Sequence, residues 1–249
     1  MQLFATDENG HVIVAQLAKK QTNYLCPECR GLVRVRGGKH RQPHFFHLHH
    51  NSHCRQSEKS LTHLSIQHHI ERLLPKDEVI LECRFPKIFR IADVVWLTQR
   101  LIFEVQCSPI AAEEVLARNR DYQSEGFQVI WIFHDQRFNQ WRVASAEEAL
   151  KSSPVYYTNI NAEGKGMIYD QYSCESEGIR KHLSQRMKVD LSQPKAMKRK
   201  MSPYGGINQR IGSWPVHFRG DLLDVYSSQP QRFQELKHVR VYRMSLHRY

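Results

Sequence analysis

The sequence predicts an α/β protein whose central part, residues 58–133, follows the order α-β-β-β-α-β. Apolar residues recur first at helical spacing and then in short runs that are typical of strands. The last run, residues 127–133, is dominated by apolar side chains, as expected for a strand that is covered on both faces. The final strand–helix–strand unit therefore predicts two parallel strands joined by a right-handed crossover.

The N-terminal region predicts a β-hairpin followed by a Cys/His-rich knob. In residues 1–20, short apolar runs flank an Asn-Gly dipeptide, which is a strong signal for a tight turn. Residues 24–54 contain the pair Cys26-x-x-Cys29, whose spacing suits two thiolate ligands of one tetrahedral zinc ion. Free thiols or a redox pair are the alternative interpretations. Further ligands are available at His44, His47 and Cys54.

The first predicted helix covers residues 58–74, where apolar residues recur at i, i+4, i+7 and i+8. Ser57 is its expected N-cap, and Pro75 is expected to end it. The three strands that follow are predicted at residues 79–85, 88–97 and 101–107.

The second predicted helix begins at Ser108-Pro109, with the serine as N-cap and the proline at the first helical position. Gly126 is expected to close it, and the strand at residues 127–133 follows. This places the helix between two strands of one sheet.

The formal net charge of +11 favours an anionic partner, with nucleic acid as the first candidate. Residues 151–249 hold 17 Lys and Arg against 8 Asp and Glu, which is +9 of that charge. Residues 188–210 are polar, basic and rich in Pro and Gly, and they predict a linker or mobile arm. Within them, residues 195–200 suit a nucleic-acid backbone, although a lysine-rich linker explains them equally well. The expected domains are the hairpin and knob (1–56), the αβββαβ domain (57–150) and a basic C-terminal region (151–249).

The sequence contains no apolar run long enough to cross a membrane, and residues 1–12 lack the pattern of a secretory signal. The six cysteines are too few for a disulfide scaffold in 249 residues. We therefore expect a cytoplasmic protein.

Two carboxylates interrupt apolar strands, at Asp93 and Glu104. A short loop around residues 98–99 pairs positions whose numbers sum to 197, so these two residues are expected to lie opposite each other on one face. Two negative charges on directly opposed strand residues repel each other, and a divalent cation between them removes the repulsion. Mg²⁺ prefers such oxygen ligands, which predicts a site for phosphate chemistry. The alternative is a solvated strand end, or pairing with Arg90 or Arg84.

Several short motifs in this order resemble the CoiA-like competence protein family, whose core is similar to the PD-(D/E)xK nucleases. They are YLCPECRGLVRVRGG (24–38), HFFH (44–47), Cys54, Ser60-x-x-His63, IADVV (91–95), EVQCSPI (104–110), Arg118-x-x-x-Tyr122 and GFQVIWIF (126–133). The resemblance implies a restriction-endonuclease-like αβββαβ core that acts on DNA in natural transformation or recombination. Recombination proteins would be further partners.

The resemblance also implies roles for individual residues. Asp93 and Glu104 would hold Mg²⁺ or Mn²⁺, and Gln106 stands where the wider superfamily has a lysine that polarises water. Arg118 or another cation is then expected to supply the missing charge. His63 would be a base or a phosphate contact, with a packing histidine as the alternative.

The first helix departs from the family pattern, which has Glu-Ser-x-x-His followed by Lys four residues later. Lys59 precedes Ser60 here, Glu58 lies one residue out of register, and Gln67 stands at the lysine position. Glu58 is expected to reach the site as a third acidic group.

For zinc, the resemblance implies the ligands Cys26, Cys29, His47 and Cys54, with His44 as the substitute. The expected function is a metal-dependent DNA nuclease or DNA-processing protein. A non-catalytic DNA-binding protein on a degenerate nuclease fold is the alternative, and a zinc-bearing protein-interaction module is the third hypothesis.

Overall fold

A computed structural model of the chain describes residues 2–38, 41–49, 54, 59–197 and 205–237. The described strands of the N-terminal region form one antiparallel sheet in the order β2-β1-β3-β4-β5. Its strands are β1 (Phe4–Thr6), β2 (Val12–Val14), β3 (Tyr24–Leu25), β4 (Leu32–Gly38) and β5 (Arg41–His47). The predicted hairpin is thus present, and the hairpin and the Cys/His knob share one sheet and one small core.

The central region follows the predicted αβββαβ order. Its elements are α1 (Leu61–Leu73), β6 (Val79–Phe85), β7 (Arg90–Trp96), β8 (Leu101–Gln106), α2 (Ala112–Ser124) and β9 (Gln128–His134). Strands β6, β7 and β8 are antiparallel neighbours, and β8 pairs with β9 in parallel, as the crossover rule predicts.

The two helices cover opposite faces of this sheet. Side chains alternate along β8, so Phe103 packs in the hydrophobic cluster that contains α1, whereas Ile102 packs in the cluster that contains α2. The predicted starts of both helices need correction. Ser60, not Ser57, caps α1, because its side chain accepts a hydrogen bond from the backbone N–H of His63. Helix α2 begins after Ala111 rather than at Ser108-Pro109.

The central sheet continues beyond residue 150, so that among the described residues it has seven strands in the order β14-β11-β10-β9-β8-β7-β6. The elements in this part of the chain are α3 (Ser145–Ala149), β10 (Val155–Thr158), β11 (Ile168–Asp170), β12 (Ser173–Ser176), β13 (Ile179–Leu183) and β14 (Met187–Lys188). The division of the chain at residues 56 and 150 stays a prediction.

The predicted linker at residues 188–210 is largely folded where the structure describes it. It contributes β15 (Asp190–Ala196), which pairs with β16 (Val216–Arg219), and the first residues of α4 (Gly205–Ser213). Helices α5 (Leu222–Ser228) and α6 (Pro230–Lys237) follow. The physical reason is burial. Leu191 is fully buried, and the Arg210 guanidinium pairs with the buried Asp170 carboxylate. Lys195 of the basic run pairs with Asp224, while residues 198–200 lie outside the described residues.

None of the helices in the described parts of the chain is both long and apolar enough to cross a membrane.

Candidate active site and Cys/His cluster

The hydrogen-bonded ladder between β7 and β8 ends one pair before the two strand carboxylates. Val94 pairs with Phe103, in the register that the sequence predicted. At the next position, the Asp93 Oδ2 atom accepts a hydrogen bond from the backbone N–H of Val105 at 2.8 Å. The Asp93 side chain thus takes the place of a backbone hydrogen bond of the ladder. We call the place where the ladder ends, around Asp93 and Glu104, the fork.

Asp93 is buried and accepts further hydrogen bonds from two side chains of α1 and from Lys59, the residue before the N-cap of that helix. Its Oδ1 atom accepts from Lys59 Nζ at 2.8 Å, His63 Nε2 at 3.0 Å and Gln67 Nε2 at 3.0 Å. Burial alone would raise the pKa of Asp93, but the charges of His63 and Lys59 outweigh burial and lower the pKa well below its usual range. Asp93 is therefore an ionised carboxylate, and four protein donors use its lone pairs.

Lys59 lies between Asp93 and a second buried carboxylate, Glu82. The β6–β7 register pairs Leu81 with Val94, and the following Glu82 has φ +49°, a conformation that residues other than glycine rarely adopt. The Glu82 side chain, 5% exposed, lies 3.3 Å from Lys59 Nζ. Burial would lower the pKa of Lys59, but Asp93 and Glu82 together raise it, so Lys59 is a fixed cation.

Glu104 is fully buried on the opposite side of the fork, against α2. Its Oε2 atom accepts from Arg118 Nη1 at 2.6 Å, and its Oε1 atom accepts from the Tyr122 hydroxyl at 2.9 Å. Burial raises the pKa of Glu104, the Arg118 charge opposes that shift, and the Asp93 charge adds to it. Burial also raises the pKa of Tyr122, so its hydroxyl stays protonated and donates.

The expected position of both carboxylates on one face therefore needs correction. Asp93 takes its side-chain donors from the α1 side, and Glu104 takes its donors from α2. The reason is that the ladder does not continue to this pair. The two groups still influence each other, since the Asp93 charge raises the pKa of Glu104.

A cavity of about 320 Å³ opens at the fork. Asp93 and His63 line it, together with three cationic side chains, Lys59, Arg90 and Arg118. Glu114 binds both Arg90, at 2.7 Å, and Arg118, at 2.9 Å. Carboxylates and several cations therefore line the same cavity, and the cations are suited to bind a phosphate group.

The other predicted site residues divide into those near the cavity and those outside the described chain. Gln106 lines the cavity, and its amide donates to the backbone carbonyl of Ser108 at 2.7 Å and to its hydroxyl at 3.1 Å. Glu58 lies outside the described residues.

Sequence reasoning did not assign Lys59, Gln67 and Glu82 to the site. The spacing i, i+4, i+8 of Lys59, His63 and Gln67, which places them on one side of the chain as it enters α1, is a signal that could have found the first two. Glu82 had no such signal, because its positive φ depends on tertiary context.

The second site is a Cys/His cluster in the N-terminal region. The ligand atoms of Cys26, Cys29, His47 and Cys54 all lie within 4.8 Å of one another. The Sγ atoms of Cys26 and Cys54 are 3.7 Å apart, and Cys29 Sγ lies 3.3 Å from His47 Nε2. Tetrahedral zinc with bonds of about 2.3 Å to sulfur gives edges of about 3.8 Å, so the four groups fit such an ion. His44, the expected substitute, is outside this group and accepts a hydrogen bond from Arg36 Nε at 3.1 Å.

Together, the αβββαβ core, the buried carboxylates of Asp93 and Glu104 and the Cys/His cluster indicate a nuclease-like α/β protein with a second unit whose ligand atoms could hold a metal ion. Comparison with protein families agrees with this class. The family model for the nuclease-like domain of competence protein CoiA matches residues 44–200, more than half of the chain, and the model for its N-terminal domain matches residues 8–57. The chain therefore belongs to the CoiA competence protein family. No curated protein and no solved structure matches it.

Proposed function

We propose that this protein binds DNA and hydrolyses phosphodiester bonds at the fork, with Mg²⁺ or Mn²⁺ held by Asp93 and Glu104. The observation that carries the proposal is a cavity lined by the buried Asp93 carboxylate and several cations, with the buried Glu104 carboxylate close enough for the Asp93 charge to raise its pKa. Membership of a family with a nuclease-like domain and the net charge of +11 support DNA as the substrate. Within that family, the DNA would be taken up in natural transformation or processed in recombination, with recombination proteins as further partners.

The donor set at the fork fits a hard divalent cation. Carboxylate oxygens are the ligands that Mg²⁺ prefers, and a cation between Asp93 and Glu104 would remove the repulsion that raises the pKa of Glu104. Four protein donors already use Asp93, so the cation would take the place of the Lys59 ammonium there. When bound, it supplies Lewis-acid chemistry and a more acidic water.

Other side chains at the fork would supply positive charge, hold Glu104 in position and hold a proton. Lys59 would supply the positive charge that Gln106 lacks, since its side chain lines the cavity and its ammonium lies 2.8 Å from Asp93. Arg118 and Tyr122 hold Glu104 in place through one hydrogen bond to each of its oxygens. His63 contacts the same Asp93 oxygen and is placed to hold a proton near the cavity.

For the Cys/His cluster, we propose structural zinc. Four protein ligands would complete the tetrahedral coordination of the ion. Through it, Cys26, which follows β3, would be tied to Cys54, near the end of residues 1–56. Zinc would then fix the small N-terminal core, which is short of apolar residues.

A second candidate is a DNA-binding protein without nuclease activity. The observation that favours it is that protein cations already neutralise both carboxylates, Lys59 at Asp93 and Arg118 at Glu104. In this case the cavity would bind phosphate and the fork would not need a divalent ion.

Cleavage of labelled single- and double-stranded DNA in Mg²⁺ or Mn²⁺ tests the proposal. We expect cleavage by the natural sequence and only background cleavage by Asp93→Asn and by Glu104→Gln. Asp77→Asn, which changes a carboxylate outside the cavity, is the matched control and should retain activity. Cleavage that survives both fork substitutions would contradict the proposal, and salt-sensitive binding without cleavage would favour the second candidate.

A further inference from the structure

Glu82 lies directly opposite Asp93 across strands β6 and β7. The ladder pairs Leu81 with Val94 and resumes in the same register one residue beyond Glu82, so this register brings Glu82 and Asp93 to opposed positions. The ladder omits the pair itself, because the φ of +49° at Glu82 interrupts the regular strand. Two acidic residues therefore face each other where β7 reaches the fork.

One ammonium group contacts both of these carboxylates. Lys59 Nζ lies 2.8 Å from the Asp93 Oδ1 atom and 3.3 Å from the Glu82 Oε1 atom. The side chain of Lys59 is 12% exposed and each carboxylate is 5% exposed, so water screens these charges only weakly. The positive charge of Lys59 thus offsets the repulsion between the two opposed carboxylates.

Glu82 contacts Lys59 from outside the cavity at the fork. The described residues that line this cavity include Lys59 and Asp93 but not Glu82. Glu82 instead lines another groove, of about 310 Å³, together with Phe4 and Pro27 of the N-terminal region. The contact that links Glu82 to a group bound in the cavity is therefore its ion pair with Lys59.

A divalent cation at Asp93 would change the surroundings of Lys59. In the proposed function, the cation takes the place of the ammonium at Asp93. It would also repel the ammonium, because charges interact strongly in a poorly solvated site. Glu82 is a carboxylate that the ammonium already contacts, so this contact would hold Lys59 at the fork while Asp93 binds the cation.

We infer that Glu82 is a positioning residue, which keeps the Lys59 ammonium beside the cavity when a divalent cation occupies Asp93. The inference rests on the proposed function for the position of the cation. Without the Glu82 carboxylate, the ammonium would compete more strongly with the cation for Asp93. Glu82 would therefore raise the affinity of the fork for the cation, and it would do so through Lys59.

The affinity for Mg²⁺ of four full-length proteins tests the inference: the natural sequence, Glu82→Gln, Lys59→Met and the double variant. For each, the dissociation constant of Mg²⁺ is obtained from the rise of the urea unfolding midpoint with Mg²⁺ concentration. The buffers contain no chelator, so that a metal ion at the Cys/His cluster is not removed.

We expect the effect of Glu82→Gln to depend on Lys59. In the natural sequence, Glu82→Gln should weaken Mg²⁺ binding about tenfold, because the ammonium then competes more strongly for Asp93. In the Lys59→Met background, the same substitution should weaken binding at most about threefold, since only the distant negative charge is lost. An equal loss in both backgrounds would overturn the inference, because Glu82 would then act independently of Lys59.

Two further variants and a control separate the role of the charge from that of the fold. Glu82→Asp keeps the carboxylate and should bind Mg²⁺ within about threefold of the natural sequence. Glu82→Gly suits the left-handed backbone, so it should show the tenfold loss even where Glu82→Gln folds poorly. Asp77→Asn removes an exposed carboxylate just before β6 and should not change the affinity. Natural affinity in Glu82→Gly would overturn the inference.

Cleavage of labelled DNA by the same proteins distinguishes this inference from the proposed function. If the effect of Glu82→Gln on Mg²⁺ binding depends on Lys59 and no protein cleaves DNA, the positioning role stands and the nuclease proposal fails. If the natural sequence cleaves DNA and the effect is the same in both backgrounds, the nuclease proposal stands and the positioning role fails. If Mg²⁺ and Mn²⁺ stabilise neither the natural sequence nor Lys59→Met, the cation position is wrong and both fail.

Discussion

Replacing Lys59 by methionine is the perturbation that tests the charge arrangement of the fork most directly. The Lys59 side chain is 12% exposed, and its Nζ atom lies 2.8 Å from Asp93 and 3.3 Å from Glu82. Methionine retains most of the volume but removes the ammonium, so two buried carboxylates lose their cation. Removing one partner of a buried ion pair costs about 3–5 kcal/mol. Because Asp93 keeps its other hydrogen bonds, we expect the lower end, about 3 kcal/mol.

Mg²⁺ should restore much of this loss in the variant. A ligand present at about 100 times its dissociation constant stabilises the folded state by about 2.7 kcal/mol. In the natural sequence Mg²⁺ would have to compete with the Lys59 ammonium at Asp93, so its stabilising effect is expected to be smaller. The effect of Mg²⁺ on the free energy of unfolding should therefore be larger for Lys59→Met than for the natural sequence.

The assay is urea unfolding followed by tryptophan fluorescence, with and without Mg²⁺. Lys151→Met is the matched control, since the Lys151 side chain is 39% exposed and its ion pair with Glu148 is on the surface. Surface pairs contribute about 0–1 kcal/mol, so this variant should unfold almost as the natural sequence does. The reasoning is refuted if Lys59→Met is no less stable than Lys151→Met, or if Mg²⁺ stabilises Lys59→Met and the natural sequence equally.

Three further predictions follow from the sites. Burial raises the pKa of Glu104 above its ordinary value of 4.5, and the Tyr122 hydrogen bond opposes the shift. Tyr122→Phe should therefore raise this pKa further and move the acid limb of the kcat/KM profile to higher pH; movement to lower pH would contradict the assignment. Metal analysis should find one zinc per chain, lost in Cys29→Ser and retained in Cys83→Ser, which lies outside the cluster. Ser60→Ala should lower the free energy of unfolding by about 1 kcal/mol, because the N-cap hydrogen bond of α1 is lost, and equal stability in urea unfolding would argue against that cap.

The order of the central elements was predictable because each carries its own periodicity. Strand β9 is buried except at its first residue and is largely apolar, and α1 repeats its apolar residues at helical spacing. The β7–β8 register was predictable for the same local reason, since a short turn fixes which residues pair, and Val94 does pair with Phe103. The Cys/His cluster needed only the spacing of its first two ligands and the family motif for the others.

The helix starts were less predictable because several residues compete for each cap. Ser108 suited an N-cap by type, but it accepts the Gln106 amide instead, and α2 begins three residues after the expected proline. Residues 188–210 were predicted to be a linker because they are rich in Pro, Gly and Lys. The few side chains that become buried in the fold do not stand out in that composition. Arg210 counted as part of a basic arm, yet it pairs with Asp170 from a distant strand.

The fork itself shows why a list of site residues from sequence was incomplete. A motif reports residues whose chemistry is recognisable in isolation, such as Asp93 and Glu104. Glu82 acquires its role only because the strand adopts a positive φ at that residue and turns the carboxylate onto Lys59. A positive φ at a residue other than glycine depends on tertiary context, which no local pattern of residues records.

Charge accounting at the fork connects the two candidate functions. The buried carboxylates Glu82, Asp93 and Glu104 carry −3, Lys59 and Arg118 carry +2, and His63 adds to the positive charge that acts on Asp93. A phosphodiester in this poorly solvated cavity would need a further cation close to it. In the proposed nuclease that cation is the divalent ion. In a DNA-binding protein without a metal it would be Arg90, which also lines the cavity.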